Sequence, residues 1–287
     1  MDQNQTAEQP KGSVLQKYYR QPKVYLELPS KGNFYADGAL DRSEDGKYAV
    51  YAMTAKDELM YKTPDALMSG QSTVEVIQSC IPSIKDAWKM PSIDLDACLV
   101  AIRIATYGEE LEVTANCTSC GHENEYNLSL TAYLGNISQF DYKDTIVIDD
   151  LTVHIRPYSY REITKTAIKN IEQQKIFDIV NSESMSDEEK LERFGASFVK
   201  LTELSIDMIA GCITEIETPE GSEKDSNTIK EFISNAPKEI FDAIYGRLEQ
   251  MKTDLDFKIR QVECAECHSK FDVNITLDQS NFFAARS

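Results

Sequence analysis

Apolar residues change their spacing several times along this 287-residue chain, and each change marks an expected element. Around "KVYLELPSKGNFYADGAL", Val24, Leu26 and Leu28 alternate with Tyr25 and Glu27 ahead of the turn-forming run Pro29-Ser30-Lys31-Gly32-Asn33. That pattern predicts strand, turn, strand. Residues 47–58 read as a further strand leading into a polar segment. Helical spacing follows, with Thr63-Pro64 as a start and Gly70 as a stop. Ser72 and Glu75 form a capping-box pattern before Val76, Ile77 and Cys80. Asp94 can cap a helix in which Leu95, Cys98, Leu99 and Ile102 share one face, ended by Gly108. Trp88, in the connection before it, is expected to anchor the core, because an indole buries so much area.

Residues 145–157 alternate again and predict a hairpin turning at Asp149-Asp150. His154 falls on its polar side with Thr152 and Arg156 and reads as a surface histidine. From 159 to 255 the period is helical. Ser159 with Glu162 and Ser186 with Glu189 are capping boxes. The second opens a stripe of Leu191, Phe194, Phe198, Leu201, Leu204, Met208 and Cys212, expected as one helix over 186–216 that supplies core or a partner-binding seam. Residues 219–227 read as a solvent loop, and Asn235 with Pro237 starts a last helix carrying Ile240, Phe241, Ile244, Leu248 and Met251.

Charge narrows the function classes. Asp plus Glu exceeds Lys plus Arg, 48 to 30, for a net charge of −18, and no long basic run offsets it. Such a surface repels phosphate backbones, so nucleic-acid binding is disfavoured. No apolar stretch reaches membrane-spanning length, and the polar N-terminus lacks a secretory apolar segment. Seven cysteines, an odd number, in a chain expected to stay in a reducing compartment favour metal binding or burial over disulfides.

Four of those cysteines carry the candidate chemistry. In "VTANCTSCGHENEYNL", Cys117 and Cys120 sit between alternating stretches (Leu111 and Val113 before, Tyr126, Leu128 and Leu130 after). In "KIRQVECAECHSKFDVNITL", Cys264 and Cys267 repeat the design, with Ile259 before and Phe271, Val273, Ile275 and Leu277 after. Each pair is therefore expected at a hairpin tip. Two residues between cysteines let one tight turn aim both sulfurs at one point, and two facing tips complete a zinc tetrahedron. Four thiolates leave no position for a catalytic water, so the Zn2+ would be structural. A redox dithiol is disfavoured, because neither pair precedes a helix. His122 and His268 lie in the same turns and are alternative ligands. Cys80, Cys98 and Cys212 lie on apolar helical faces and read as buried thiols.

No Gly-rich phosphate loop, HExxH or GxSxG is present, so no catalytic residue is assigned and the chain reads as a non-enzymatic scaffold or assembly protein. The competing reading is a zinc-ribbon nucleic-acid-binding regulator, supported only by Lys258, Arg260 and Lys270 near the second pair.

"LELPSKGNFY" (26–35), "MTAKDELMYKTPDALMSGQSTVEVIQSCI" (53–81) and "IDLDACLVAIRIATYGEELEV" (93–113) together resemble the baseplate proteins of T4-like contractile-tailed bacteriophages, a family that includes hub and hub-assembly proteins. The resemblance implies a phage tail protein, made in the host bacterial cytoplasm and possessing no known enzymatic activity. It would work through contacts with other baseplate hub or tape-measure proteins, as a virion component or as an assembly chaperone. The expected fold class is α+β. Residues 1–22 form a flexible leader, and 23–108 a β-turn and helical region. Residues 109–157 and 256–280 form a bipartite zinc-ribbon-like module, interrupted by a helical insertion over 158–255.

Overall fold

A computed structural model of the protein describes residues 15, 18–62, 70–137, 142, 144–165, 186–254, 258–274 and 283. Most of the leader, the helix start at Thr63-Pro64, Ala167, Ile168, Ile171, Ile275 and Leu277 lie outside the described residues. The architecture is α+β, as expected, with small antiparallel sheets set among helices.

Strand β1 (Pro22–Glu27) pairs antiparallel with β2 (Lys47–Tyr51), Leu26 opposite Tyr48. The second strand expected before position 40 is absent; there the chain makes turns, and only Leu40 forms an isolated bridge, to Ile84. Positive φ at Lys31 (54°), Gly32 (77°) and Phe34 (68°) breaks the extended run. At Gly32 a Cβ would also come within 3.1 Å of the Tyr48 hydroxyl and 3.3 Å of Leu40, so the turn has little room for a side chain. This turn is clipped to a later part of the chain through Asp94. Its carboxylate accepts from the Ser30 amide (2.8 Å), the Ser30 hydroxyl (2.6 Å) and the Tyr35 hydroxyl (3.0 Å).

The segment read only as polar after β2 is helix α1 (Ala55–Tyr61), held by a Thr54/Asp57 capping box. Asp57 also receives Ser79 (3.2 Å) and pairs with Arg20 (3.4 Å), whose guanidinium donates to the Ala52 carbonyl (2.7 Å). Helix α2 (Gln71–Cys80) starts from Gly70, the residue read as a stop. Ser72 does not cap it but donates to the Met60 carbonyl (3.1 Å). Helix α3 (Ser92–Tyr107) ends at Gly108 as expected; Asp94 lies inside its first turn rather than capping it. Val50, Ile77, Cys80, Met90, Cys98, Leu99 and Ile102 fill the first core. Trp88 packs against that core and stacks on Tyr160 at 5.6 Å.

Hairpin β3 (Glu110–Asn116) and β4 (Glu123–Ser129) grows out of this core, and α4 (Leu130–Ile137) returns to it with Leu130 and Ile137 buried. Leu130 therefore begins a helix instead of extending the strand. The β5 (Thr145–Ile148) and β6 (Leu151–Ile155) hairpin turns at Asp149-Asp150 as expected. Arg156 then grips Glu162 with two bonds (3.0 and 2.7 Å), and Ser159 and Glu162 make the expected capping contacts.

Helix α5 (Asp187–Cys212) opens on the Ser186/Glu189 box but stops short of 216. Ile213 to Thr218 form β7, which pairs with β6, and β8 (Gly221–Glu223) completes a four-stranded sheet in the order β5-β6-β7-β8. The block over 158–255 is thus not wholly helical. Pairing of Ile216 with Val153 and of Ile213 with Ile155 overrides the helical period, helped by the β-branched run. The expected solvent loop likewise holds β8 and the start of α6 (Ser226–Asn235), capped by Asp225; α7 (Lys238–Asp254) follows. Val153, Ile155, Ile209, Cys212, Ile229, Ile233, Ile244, Leu248 and Met251 form a second core. Only the C-terminal end of the α5 stripe reaches it. Leu191 is 74% exposed, Phe198 60% and Val199 57%. Strands β9 (Lys258–Glu263) and β10 (Lys270–Asn274) close the described fold as a hairpin.

Candidate metal centre

The two Cys-x-x-Cys turns are built alike. Cys117 donates its amide to the His122 carbonyl (2.8 Å) and accepts from Gly121 at its own carbonyl (2.9 Å). Cys264 donates to the Ser269 carbonyl (3.0 Å) and accepts from His268 (3.0 Å). Gly121 and His268 occupy the same left-handed position, at φ 74° and 56°. Each knuckle is thus a local turn whose backbone bonds fix where its sulfurs point.

The knuckles meet across 144 positions of chain. Cys117 Sγ lies 3.6 Å from Cys267 Sγ, and Cys120 Sγ lies 3.7 Å from Cys264 Sγ. All four sulfurs fall within 4.8 Å of one another, and all four cysteines are free. A disulfide would need a separation of ~2.05 Å. Sulfurs at the corners of a tetrahedron with metal–sulfur bonds of ~2.3 Å stand about 3.8 Å apart, close to both measured pairs. Cys117 and Cys264 are buried, while Cys120 and Cys267 face solvent, so the cluster lies at an edge of the protein.

The sulfurs are electronically unequal. Backbone N–H groups of Cys267 and Glu266, with the Asn124 amide, favour the Cys264 thiolate and bring its pKa down to about 6. Cys120 goes the other way. A backbone bond with His122 favours its thiolate, but the sulfurs of Cys267, Cys117 and Cys264 push it up to about 12. A divalent metal shared by the four sulfurs would favour the thiolate form of each.

Neither histidine joins the cluster. The His268 ring contacts Glu263 (2.9 Å) and is largely exposed; His122 is exposed and contributes its carbonyl to the turn. The residue that sequence reasoning missed is Asn124, 5% exposed. Its amide donates to the His122 carbonyl (2.9 Å) and lies 3.6 Å from Cys264 Sγ, and its carbonyl oxygen accepts from the Ala265 amide (2.9 Å). Asn124 therefore joins the hairpins beside the sulfurs, as a partner outside a ligand shell does. Its one sequence signal is a polar residue on the inward side of an alternating strand. Tyr126 adds a contact to the Glu263 carbonyl (3.3 Å) and an edge-to-face packing on Phe271. The other cysteines are buried thiols, as expected: burial pushes Cys80 and Cys212 up to about 12.

A family-wide sequence profile described as "T4 bacteriophage base plate protein" matches residues 21–284. No curated protein and no solved structure matches the chain.

Proposed function

Because the chain belongs to the family of T4 bacteriophage base plate proteins, we propose that it is a non-enzymatic protein of the baseplate hub, acting as a structural component or as a chaperone of hub assembly. Structural zinc held by Cys117, Cys120, Cys264 and Cys267 joins its two distant hairpins. The family match over 21–284 carries the baseplate reading. The sulfur spacing supports the metal, and the set of four thiolates leaves no open position for a reacting water. Among the described residues no helix is long and apolar enough to cross a membrane.

Protein contact as the mode of action is supported by the first half of α5. Leu191, Phe194, Phe198 and Val199 stand exposed on one helix, a groove-seeking pattern that a free soluble protein rarely carries without use. Hub and tape-measure proteins are its expected partners, met in the host cytoplasm during assembly. Infection by a phage lacking the protein should leave filled heads without functional tails; normal tails would overturn the reading. In purified tails, a stoichiometric band marks a virion component, and its absence marks an assembly chaperone.

A further inference from the structure

The polar face of the four-stranded sheet carries a second cluster. His154 on β6 is directly opposite Glu215 on β7, with Glu217 one step further along that face. One ring nitrogen of His154 and one oxygen from each carboxylate lie within 4.8 Å of one another. His154 Nε2 is 3.2 Å from Glu217 Oε1, yet it is shut off from solvent and makes no hydrogen bond of acceptable geometry. A register shift between His154 and Ile155 places a bulge beside the histidine, and Thr214 donates its hydroxyl to the His154 carbonyl (3.2 Å). Bulges of this kind re-aim side chains. The histidine read as a surface residue thus faces two carboxylates.

We propose that His154, Glu215 and Glu217 form a binding site for a divalent transition-metal ion, separate from the thiolate cluster. One imidazole nitrogen and two carboxylates are a donor set suited to Mn2+, Fe2+ or Zn2+. Ligands about 2.1 Å from one ion, at angles between octahedral and tetrahedral, stand roughly 3.0–3.4 Å apart, which brackets the 3.2 Å contact. An ion there accounts for a solvent-shielded imidazole nitrogen 3.2 Å from a carboxylate that it does not hydrogen-bond. Lys224 Nζ, 3.0 Å from Glu215 Oε2, competes with it. Because the three ligands lie on two paired strands, the ion would lock the β6–β7 pairing. This site is independent of the baseplate reading.

Mn2+ is the discriminating probe, because it prefers nitrogen and oxygen donors and competes poorly for thiolates. The full chain, first loaded with one equivalent of zinc, is titrated with Mn2+ while the free-ion paramagnetic resonance signal is followed. One bound Mn2+ per chain is expected. Glu217→Gln should weaken binding about tenfold or more, and His154→Ala should abolish it. Lys224→Met should tighten binding about fivefold, from the loss of one positive charge near the ion; a plain ionic ladder across the strands predicts no such gain. A signal undiminished by the wild-type chain, or binding unchanged in both Glu217→Gln and His154→Ala, overturns the proposal. Should His154→Ala fail to fold, Glu217→Gln and Lys224→Met decide it, since both leave the strand backbone and its pairing intact.

Discussion

The first core and the cysteine module represent opposite ways of holding chain segments together. In the first core, helices α2 and α3 bury apolar side chains almost completely: Val76, Ile77, Cys80, Val100, Ala101 and Ile102 are all 0% exposed. Among the described residues, the buried cluster of the β3-β4 and β9-β10 module is Cys117, Cys264, Phe271 and Val273, and two of those are candidate ligands. At ~1.5–3 kcal/mol for a fully buried large side chain, such a cluster cannot offset the entropy of holding two hairpins together. The first core should stand without metal; the module should not. Asn124 and Tyr126 bond across the two hairpins, and on the proposed reading a metal held by the sulfurs keeps them together.

The largest expected effect follows from that contrast. Four-thiolate zinc binding is worth ~10 kcal/mol or more in small domains, far above what the module's own packing supplies. Chelation, or Cys264→Ser, should open the segments 110–129 and 258–274 to proteolysis and amide exchange. The first core should keep its protection. If Cys264→Ser leaves both metal content and the protection of these hairpins unchanged, the sulfurs do not serve as the staple.

A smaller effect is expected at Asn124. Asn124→Ala leaves the Ala265 amide and the His122 carbonyl without a side-chain partner, at a cost of about 1–3 kcal/mol. Loss of a partner outside the ligand shell should weaken metal affinity about tenfold, readable by competition with a chromogenic chelator. Unchanged affinity would mean that Asn124 only packs.

In the first core the counterpart is Asp94, fully buried, whose carboxyl burial pushes up to about 6 against the hydrogen bonds from Ser30 and Tyr35. The folded protein holds this proton more tightly than the unfolded chain, where an aspartate titrates near ~3.9. Its contribution to stability is therefore fully present below the unfolded value and lost as pH rises through about 6. Acidification from pH 7 to pH 5 should stabilise the wild type relative to Asp94→Asn by ~1 kcal/mol, measured as the change in their difference in unfolding free energy. A difference that is flat across this window would place the Asp94 pKa at its ordinary value.

How much of this was legible in the sequence depends on how local each feature is. The knuckles could be read because a Cys-x-x-Cys turn is set by residues within a few positions, and the requirement for four ligands pointed each pair to the other. Capping boxes at Thr54, Ser159 and Ser186 are equally local, although the first opens a short helix among polar residues with little apolar period to mark it. The features that the local pattern does not show depend on distant partners. The α5 period continues past Cys212, and only pairing with β6 turns Ile213–Thr218 into a strand. Asp94 has the sequence pattern of a cap, while Ser30, its actual partner, lies 64 positions away. Asn124 carries little local signal of its role, because its partner Ala265 lies in the other hairpin.

The smallest expected effect tests whether the knuckles are interchangeable. Gly121 and His268 hold the same place in their turns, with the same left-handed backbone, but only one is glycine. A side chain at such a position costs roughly 1 kcal/mol, and His268 already bears that cost, partly offset by its exposed contact with Glu263. His268→Gly should therefore retain the full metal complement and change stability by less than ~1 kcal/mol, because relief of strain is countered by the added freedom of glycine in the unfolded chain. Gly121→Ala should destabilise by about 1 kcal/mol although no atom lies within 4 Å of the new Cβ, since the penalty is conformational and not steric crowding from neighbours. Both variants are compared by metal stoichiometry and denaturant midpoint. Loss of metal from His268→Gly would make that imidazole a ligand and break the likeness of the two turns.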